Sequence, residues 1–462
     1  MTSAPPAPPA PSEPIAPEPR PRTRSNRPTR IVQWTMVIAG VLWAFLGANQ
    51  DMRNCQISGF LIALAISWWL TPEIRARAVQ LNLVDKPGER RIHKVPTPRL
   101  GGVAIYIAVL ISIIALILIC GRLPGSARGS EGGFIGIAVG GTVIFILGLM
   151  DDLGGIPAKI KLVIQILAAS AAYSMGVRIK SIPIPEWVAH TAQAIPLPDF
   201  LANLLPPYLH LVSHVNAHAN TTTYMIDLGF AIGIVLTVLW LVGIANAVNL
   251  IDGMDGLAAG VSAISALTIW SVSLAVDRPY AALIAAVLAG ALLGFLRWNF
   301  NPARIFLGDS GAYLTGFILA ALSITGVIKG VTTATLIVPT FMIAFLIFFF
   351  PILDTTWAII RRVAKGVSPF EPDAGHIHHR LLRRLKDNQK KVAYLIYGMT
   401  GVLGLIAAWA VGQQIYFLTL CGSVIGMAIF FAEVLNRSRQ RKQILPGEVP
   451  QAALDEQQEK EK

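Results

Sequence analysis

The chain has 462 residues, of which 54% are hydrophobic and only 14% charged. Soluble domains carry about 25% charged residues, so a soluble fold is excluded for most of the chain, and a mean hydropathy of +0.59 agrees. The net charge of +12 does not point to nucleic acid, because the basic residues stand in short clusters between long uncharged runs, as residues that orient a membrane protein do.

In chain order, residues 1–30 are rich in proline and end in arginines. With little apolar surface to bury, they are expected to form a disordered tail. Such a polar stretch ahead of the first apolar run does not suit a signal peptide. A transmembrane helix needs roughly 20 mostly apolar residues. Runs near 32–49, 56–71, 101–121, 133–150, 160–177, 228–248, 256–276, 279–296, 310–328, 332–360, 392–412 and 415–434 predict about twelve spans. The short run at 56–71 is expected to continue as an interfacial amphipathic helix, TPEIRARAVQLNLV. Residues 31–55 read as an additional N-terminal transmembrane helix, 56–435 as a polytopic domain and 436–462 as a polar tail. The ends of the long loop 178–227, VRIKSIPIP and TTTYMIDL, could pair as a small β-hairpin. The expected fold class is therefore an all-α polytopic membrane protein with that hairpin on its exterior side.

Lys and Arg bias sets the orientation. Basic clusters lie at 20–30, 72–100, 361–391 and after 436, and with twelve spans all four share one side. The N- and C-termini are thus expected in the cytoplasm of a multi-pass protein of the inner or plasma membrane. Cys55, Cys120 and Cys421 stand far apart and show neither metal spacing nor a disulfide pattern.

The polar clusters fall on that same side. GLMDDLGG puts Asp151 and Asp152 at the end of the fourth span, and NAVNLIDGMDGL closes the sixth with Asn246, Asn249, Asp252 and Asp255. FLGDSGAYLTGF places Asp309 before the ninth, and PDAGHIHHRLL sets His376, His378, His379 and Arg380 after the tenth. The basic loop KPGERRIHKVPTPRLGG carries Lys86 and His93. Carboxylates are costly at the edge of a hydrocarbon layer. Grouped with Lys, Arg and His they suit Mg²⁺, which takes hard oxygen ligands, and phosphate, which cations neutralise. Phosphoryl transfer asks mainly for such positioning and charge stabilisation. Singly, each cluster also reads as a solvated helix end or a topology-fixing loop. A transporter is the competing class, but it would place its polar residues near mid-membrane and show a repeat between halves. A zinc site in HIHH lacks a cysteine or a second histidine pair. Asp354 is expected to pair with Arg361, seven residues on, and to support the histidine loop.

Taken together, DKPGERRIHKVPTPRLGG, GLMDDLGG, NAVNLIDGMDGLAAG, FLGDSGAYLTGF and HIHHRLL, in this order over roughly 57–435, resemble the polyprenyl-phosphate N-acetylhexosamine-1-phosphate transferases of glycosyltransferase family 4. HIHHRL is similar to the undecaprenyl-phosphate GlcNAc-1-phosphate branch. The phospho-N-acetylmuramoyl-pentapeptide branch, the alternative, would show a run of histidines followed by Phe-Glu. The resemblance implies attack of a polyprenyl phosphate on the β-phosphorus of a UDP-N-acetylhexosamine, with UMP leaving, as the first step of a cell-envelope polysaccharide. It implies Mg²⁺, with Mn²⁺ as an alternative, at Asn249 and Asp309, and a uridine contact at Asp255. It sets Asp151, Asp152 and Lys161 by the lipid phosphate, and His376, His378, His379 and Arg380 by the sugar and diphosphate. Asp252 and Asp255 are counted with these catalytic residues, and Asn246, Lys86 and His93 join Asp255 and Arg380 in substrate binding. The implied partners are the two substrates and the bilayer, with a homodimer allowed and no nucleic acid. A phosphate monoester is largely dianionic at neutral pH, its second pKa being near ~6. Direct attack is therefore favoured, with Asp151 or Asp152 orienting the phosphate, and a covalent aspartyl intermediate stays open. The tail, the run at 32–49 and the length of the loop 178–227 look like additions to the family core.

Overall fold

The computed structural model describes residues 27–47, 52–85, 96–120, 133–184, 211–216, 221–328, 340–366 and 375–411. The run at 415–434, residues 1–26 of the expected N-terminal tail, the expected C-terminal tail, Lys86 and His93 lie outside them, while residues 27–30, expected to be disordered, are helical. Thirteen α-helices are described: α1 (Arg27–Gly47), α2 (Met52–Gln80), α3 (Gly101–Cys120), α4 (Phe134–Gly154), α5 (Ala158–Ser174), α6 (Gly229–Ile251), α7 (Leu257–Ala275), α8 (Pro279–Asn299), α9 (Gly308–Leu322), α10 (Thr340–Ile347), α11 (Phe349–Ala364), α12 (Ile377–Arg384) and α13 (Gln389–Ala410). A π-helical turn, Ser323–Ile328, extends α9.

Eight of these helices, α2, α3, α4, α6, α7, α8, α9 with its π turn, and α13, are long and apolar enough to cross a membrane. The pair α10–α11 adds a ninth if its two arms, bent by 83°, form one broken span. The chain is a multi-pass membrane protein. Helices α1 and α5 stand at two further expected positions, α5 with 17 residues. The interfacial helix expected after 71 is continuous with its span, since α2 runs through Pro72 to Gln80.

Helices α7, α8 and α9 form the inside of the bundle: about nine-tenths of each is buried, against half or less of the others that could cross. Their sequences explain why. Without a hydrophobic drive between helices in lipid, small residues let backbones approach and pack. Helix α8, PYAALIAAVLAGALLGFLRWN, is rich in Ala and Gly. A methyl at Gly290 or Gly294 would collide with the carbonyl oxygens of Phe60 and Leu64 on α2. Helix α9 lies between α4 and α6 and also touches α3.

Two small sheets complete the fold. Strands β1 (Val84–Asp85) and β2 (Thr97–Pro98) pair antiparallel. Strand β3 (Ser181–Ile184) pairs antiparallel with β5 (Thr221–Asp227), Ser181 opposite Asp227 and Ile184 opposite Tyr224. Strand β4 (Leu211–Asn216) joins the other edge of β5. The loop 178–227 thus holds a three-stranded sheet in place of a two-stranded hairpin, its third strand coming from the stretch between the two expected ends. The segment before α3 is stitched to the segment before α9: Phe306 N–H donates to Pro98 O (2.7 Å), and the N–H groups of Gly101 and Gly102 donate to Phe306 O and Leu307 O (3.0 and 2.9 Å). This stitching brings the β1–β2 pair to the same end of the bundle as the N-terminus of α9.

Candidate active site

The C-terminus of α4, the N-terminal turn of α5, the C-terminus of α6 and the N-terminus of α9 meet at that end. Lys161 is the centre of the meeting. Its Nζ donates to Asp151 Oδ2 at 2.7 Å and lies 3.7 Å from Asp309 Oδ2. Asp151 Oδ1 accepts the N–H of Ile156 at 2.6 Å, and Asn249 Nδ2 donates to Asp309 Oδ1 at 2.9 Å. Four residues from four helices therefore form one continuous polar group.

Asp152 does something different from its neighbour. Its Oδ1 accepts the N–H of Asp309 (2.8 Å), and its Oδ2 accepts the N–H and the hydroxyl of Ser310 (3.0 and 2.6 Å). The first N–H groups of a helix have no partner within it, and that end carries partial positive charge. The carboxylate at the end of α4 thus caps α9 from outside and fixes the backbone that carries Asp309. Gly308 makes the approach possible. It has φ +74°, and a Cβ there would meet Arg99 O and come within 2.7 Å of Asp152 Oδ2.

A second polar layer lies one turn deeper. Gln165 is four residues after Lys161, Asn246 three before Asn249, and Tyr313 four after Asp309. Asn246 Nδ2 donates to Gln165 Oε1 at 2.7 Å and to Val242 O at 2.8 Å, and Lys161 Nζ lies 6.0 Å from the Tyr313 ring centre. Asn246 thus faces Gln165 beneath the first layer.

A cavity of about 350 Å³ opens beside these groups, with Asp85, Arg99, Asp152, Asp252, Asp255, Asp309, His379 and Gln389 among its lining residues. Arg99 forms an ion pair with Asp85, a buried residue of β1. Asp255 Oδ2 accepts from Asn301 Nδ2 (2.8 Å) and Ala303 N–H (2.9 Å), while its own N–H donates to Gln389 Oε1 (3.2 Å). Asp252 is pushed well above the usual carboxylate range, first by burial and then by the charges of Asp309, Asp152 and Asp255.

The histidine loop closes one wall. Only His379 of its three histidines lines the cavity, and Arg380 is exposed outside it. His379 is lowered to about 4, first by burial and then by His378 and His376, so it is neutral at pH 7. His376 and His378 are buried, each with Nδ1 3.0 Å from Asp354 Oδ2. Asp354 thus holds the loop through the two histidines directly, the supporting role expected of it. The side chains of Asp85, Arg99, Gln165, Asn301, Tyr313 and Gln389 were not singled out from the sequence. Two of them, Asp85 and Arg99, sit in or beside the basic loop, and Tyr313 sits inside FLGDSGAYLTGF, so membership of the same blocks was the available signal.

The family model for glycosyl transferase family 4 matches residues 134–327. A decaprenyl-phosphate N-acetylglucosaminephosphotransferase of Mycobacterium tuberculosis is 35% identical over 80% of this chain and 86% of its own length. The chain belongs to glycosyl transferase family 4. A second member, the probable undecaprenyl-phosphate N-acetylglucosaminyl 1-phosphate transferase of Bacillus subtilis, is 32% identical over 82% of this chain and 90% of its own. A phospho-N-acetylmuramoyl-pentapeptide-transferase of Desulforudis audaxviator is a weaker match, 29% identical over 57% of this chain and 73% of its own. Within this family 4 chain, the matched region holds Asp151, Lys161, Asn249, Asp255 and Asp309. The Asp85–Arg99 pair and the histidine loop lie outside it and reach the same cavity through the β1–β2 stitching and through Asp354.

Proposed function

We propose that this family 4 enzyme transfers N-acetylglucosamine 1-phosphate from UDP-GlcNAc to a polyprenyl phosphate, releasing UMP and leaving a polyprenyl-diphosphate-sugar in the membrane. The observation that carries the reading is the linked group Asp151–Lys161–Asp309–Asn249 at the mouth of a carboxylate-lined cavity. The likeness to two N-acetylglucosamine-phosphate transferases, over about four-fifths of this chain, favours this sugar over the muramoyl-pentapeptide donor. A transporter fits less well, because the polar groups gather at the helix ends.

The cavity's charge supports a divalent cation. Five carboxylates, Asp85, Asp152, Asp252, Asp255 and Asp309, face Arg99 and a neutral His379. Such a wall would repel a diphosphate by itself. Asn249 and Asp309 would hold Mg²⁺, or Mn²⁺ in its place, which supplies charge neutralisation at a diphosphate. Lys161 is set to bind the lipid phosphate and neutralise its charge, with Asp151 fixing the ammonium. Asp152 acts through the α9 cap and keeps Asp309 in place. Asp255, braced by Asn301, Ala303 and Gln389, is offered to the uridine. His379 presents a neutral ring to the sugar, and Arg380 is near enough in sequence to join it when the nucleotide sugar is bound.

The membrane arrangement we infer has twelve spans, counting α1, α5, the broken pair α10–α11 and the run at 415–434. It sets both termini and the cavity in the cytoplasm and the three-stranded sheet outside. The domain bounds follow as a tail at 1–30, an added helix at 31–55, the enzyme at 56–435 and a polar tail at 436–462. The purified protein should form lipid-linked product from UDP-GlcNAc with Mg²⁺ and polyprenyl phosphate. Product from UDP-N-acetylmuramoyl-pentapeptide alone would move the chain to the other branch.

A further inference from the structure

We propose that Asp354 is a positioning residue: its carboxylate fixes His376 and His378 as Nδ1–H tautomers and so seats the histidine helix against the Asp252–Asp255 loop. The role rests on the transfer reaction proposed above. Helix α11 is amphipathic, with Asp354, Ala358 and Arg362 on its buried face. Asp354 is fully buried, and its Oδ1 accepts the N–H of Ile377. Its Oδ2 lies 3.0 Å from Nδ1 of both His376 and His378. An ionised carboxylate only accepts. Each Nδ1 must therefore carry the hydrogen, and a neutral ring then has its lone pair at Nε2.

That geometry reaches the cavity in one further contact. His378 Nε2 is buried and has no hydrogen-bond partner among the described residues. It faces Gly253, where a Cβ would be 2.8 Å from it and 3.6 Å from His379 Nε2. Gly253 and His379 both line the cavity, and the rings of His378 and His379 are 4.4 Å apart between centres. Asp354 thus acts on the wall through His378, without touching the cavity itself. The same three side chains lie close enough to hold a metal ion. Two nearby features disfavour a cation there: the Arg361 guanidinium packs against Gly375, and Arg362 is buried on the same face as Asp354.

The test uses the full-length protein in lipid nanodiscs. Asp354→Asn keeps the shape, but with its oxygen held by Ile377 N–H its NH₂ takes the place of Oδ2 and faces both rings, which turns both tautomers. His378→Asn keeps a donor near Asp354 and removes Nε2. Each variant should raise KM for UDP-GlcNAc about tenfold, the scale of an outer-layer hydrogen bond to a working group. KM for polyprenyl phosphate should stay within about twofold, a split that general unfolding would not give. In ¹⁵N spectra of histidine-labelled protein, the ring signals lost in His378→Asn should be a protonated Nδ1 and an unprotonated Nε2. Unchanged KM for both substrates, the opposite tautomer, or one zinc bound per chain and lost in Asp354→Asn would each overturn the proposal. If Asp354→Asn does not fold, His378→Asn and the spectrum decide. Wild-type protein inactive on UDP-GlcNAc would refute the reading of function instead, and the spectrum would still decide the tautomer.

Discussion

Replacing Asp152 with Asn separates two jobs for a carboxylate beside the lipid-phosphate site. The side chain accepts three hydrogen bonds at the start of α9, from Asp309 N–H, Ser310 N–H and Ser310 Oγ. An amide keeps one acceptor oxygen. If that oxygen stays on Asp309 N–H, the new NH₂ faces Ser310. The serine hydroxyl can rotate and accept, but the Ser310 N–H is left without a partner. An unpaired buried donor costs about 1–3 kcal/mol. Removing negative charge from a helix N-terminus costs about 0.5–2 kcal/mol more. The sum is roughly 1.5–5 kcal/mol, which at about 1 °C per kcal/mol for a chain of this length should lower the unfolding temperature by about 2–5 °C. Thermal unfolding of the purified variant, read by intrinsic fluorescence in detergent, measures this directly. Transfer should fall as well, because the backbone that carries Asp309 shifts. In a double-mutant cycle with Ser310→Ala the losses should be less than additive, since both variants remove one shared bond. An Asp152→Asn protein that unfolds at the wild-type temperature yet transfers nothing would refute the cap and return Asp152 to direct contact with the phosphate.

Three further outcomes follow from the same geometry. Gly308→Ala should reduce transfer at least about tenfold, because it combines the left-handed backbone, which costs a side chain about 1–2 kcal/mol, with a clash against Arg99 O, and a steady-state assay reads the loss. Asp309→Ala should abolish transfer at every Mg²⁺ concentration while the protein still unfolds cooperatively, since a methyl cannot replace an oxygen ligand; turnover restored by raising Mg²⁺ would show that Asp309 only strengthens metal binding. His379, with its folded value lowered to about 4 from an ordinary 6.5, favours the folded state above pH 6.5, and that stability is lost as pH falls from 6.5 towards 4; His379→Gln should flatten the unfolding temperature over that window.

How much was legible beforehand varies by residue. Most of the expected spans have helices at their positions because long apolar runs leave few other structures in lipid. The gathering of Asp151, Asn249 and Asp309 follows from their places at helix ends on one side. Asp152 was harder, since adjacent aspartates look alike in sequence and only the approach of Gly308 shows which one turns to α9. Asn246 and Asn249 are likewise one turn apart, and depth decides that one meets Asp309 and the other Gln165. The Asp354 contact joins residues 22 and 24 positions apart, from within α11 to residues beyond its end at Ala364, and helical spacing carries no signal past the end of a helix. The third strand of the sheet was missed because its sequence, LVSHVN, is only six residues long and carries no strong alternation.

The central claim is transfer of a sugar phosphate, and the nucleotide that leaves tests it most directly. Purified protein given UDP-GlcNAc, polyprenyl phosphate and Mg²⁺ should release UMP in equal amount to the polyprenyl-diphosphate-GlcNAc formed, because attack falls on the β-phosphorus. Release of UDP with a polyprenyl-monophosphate-sugar would place the attack on the sugar carbon and contradict the account.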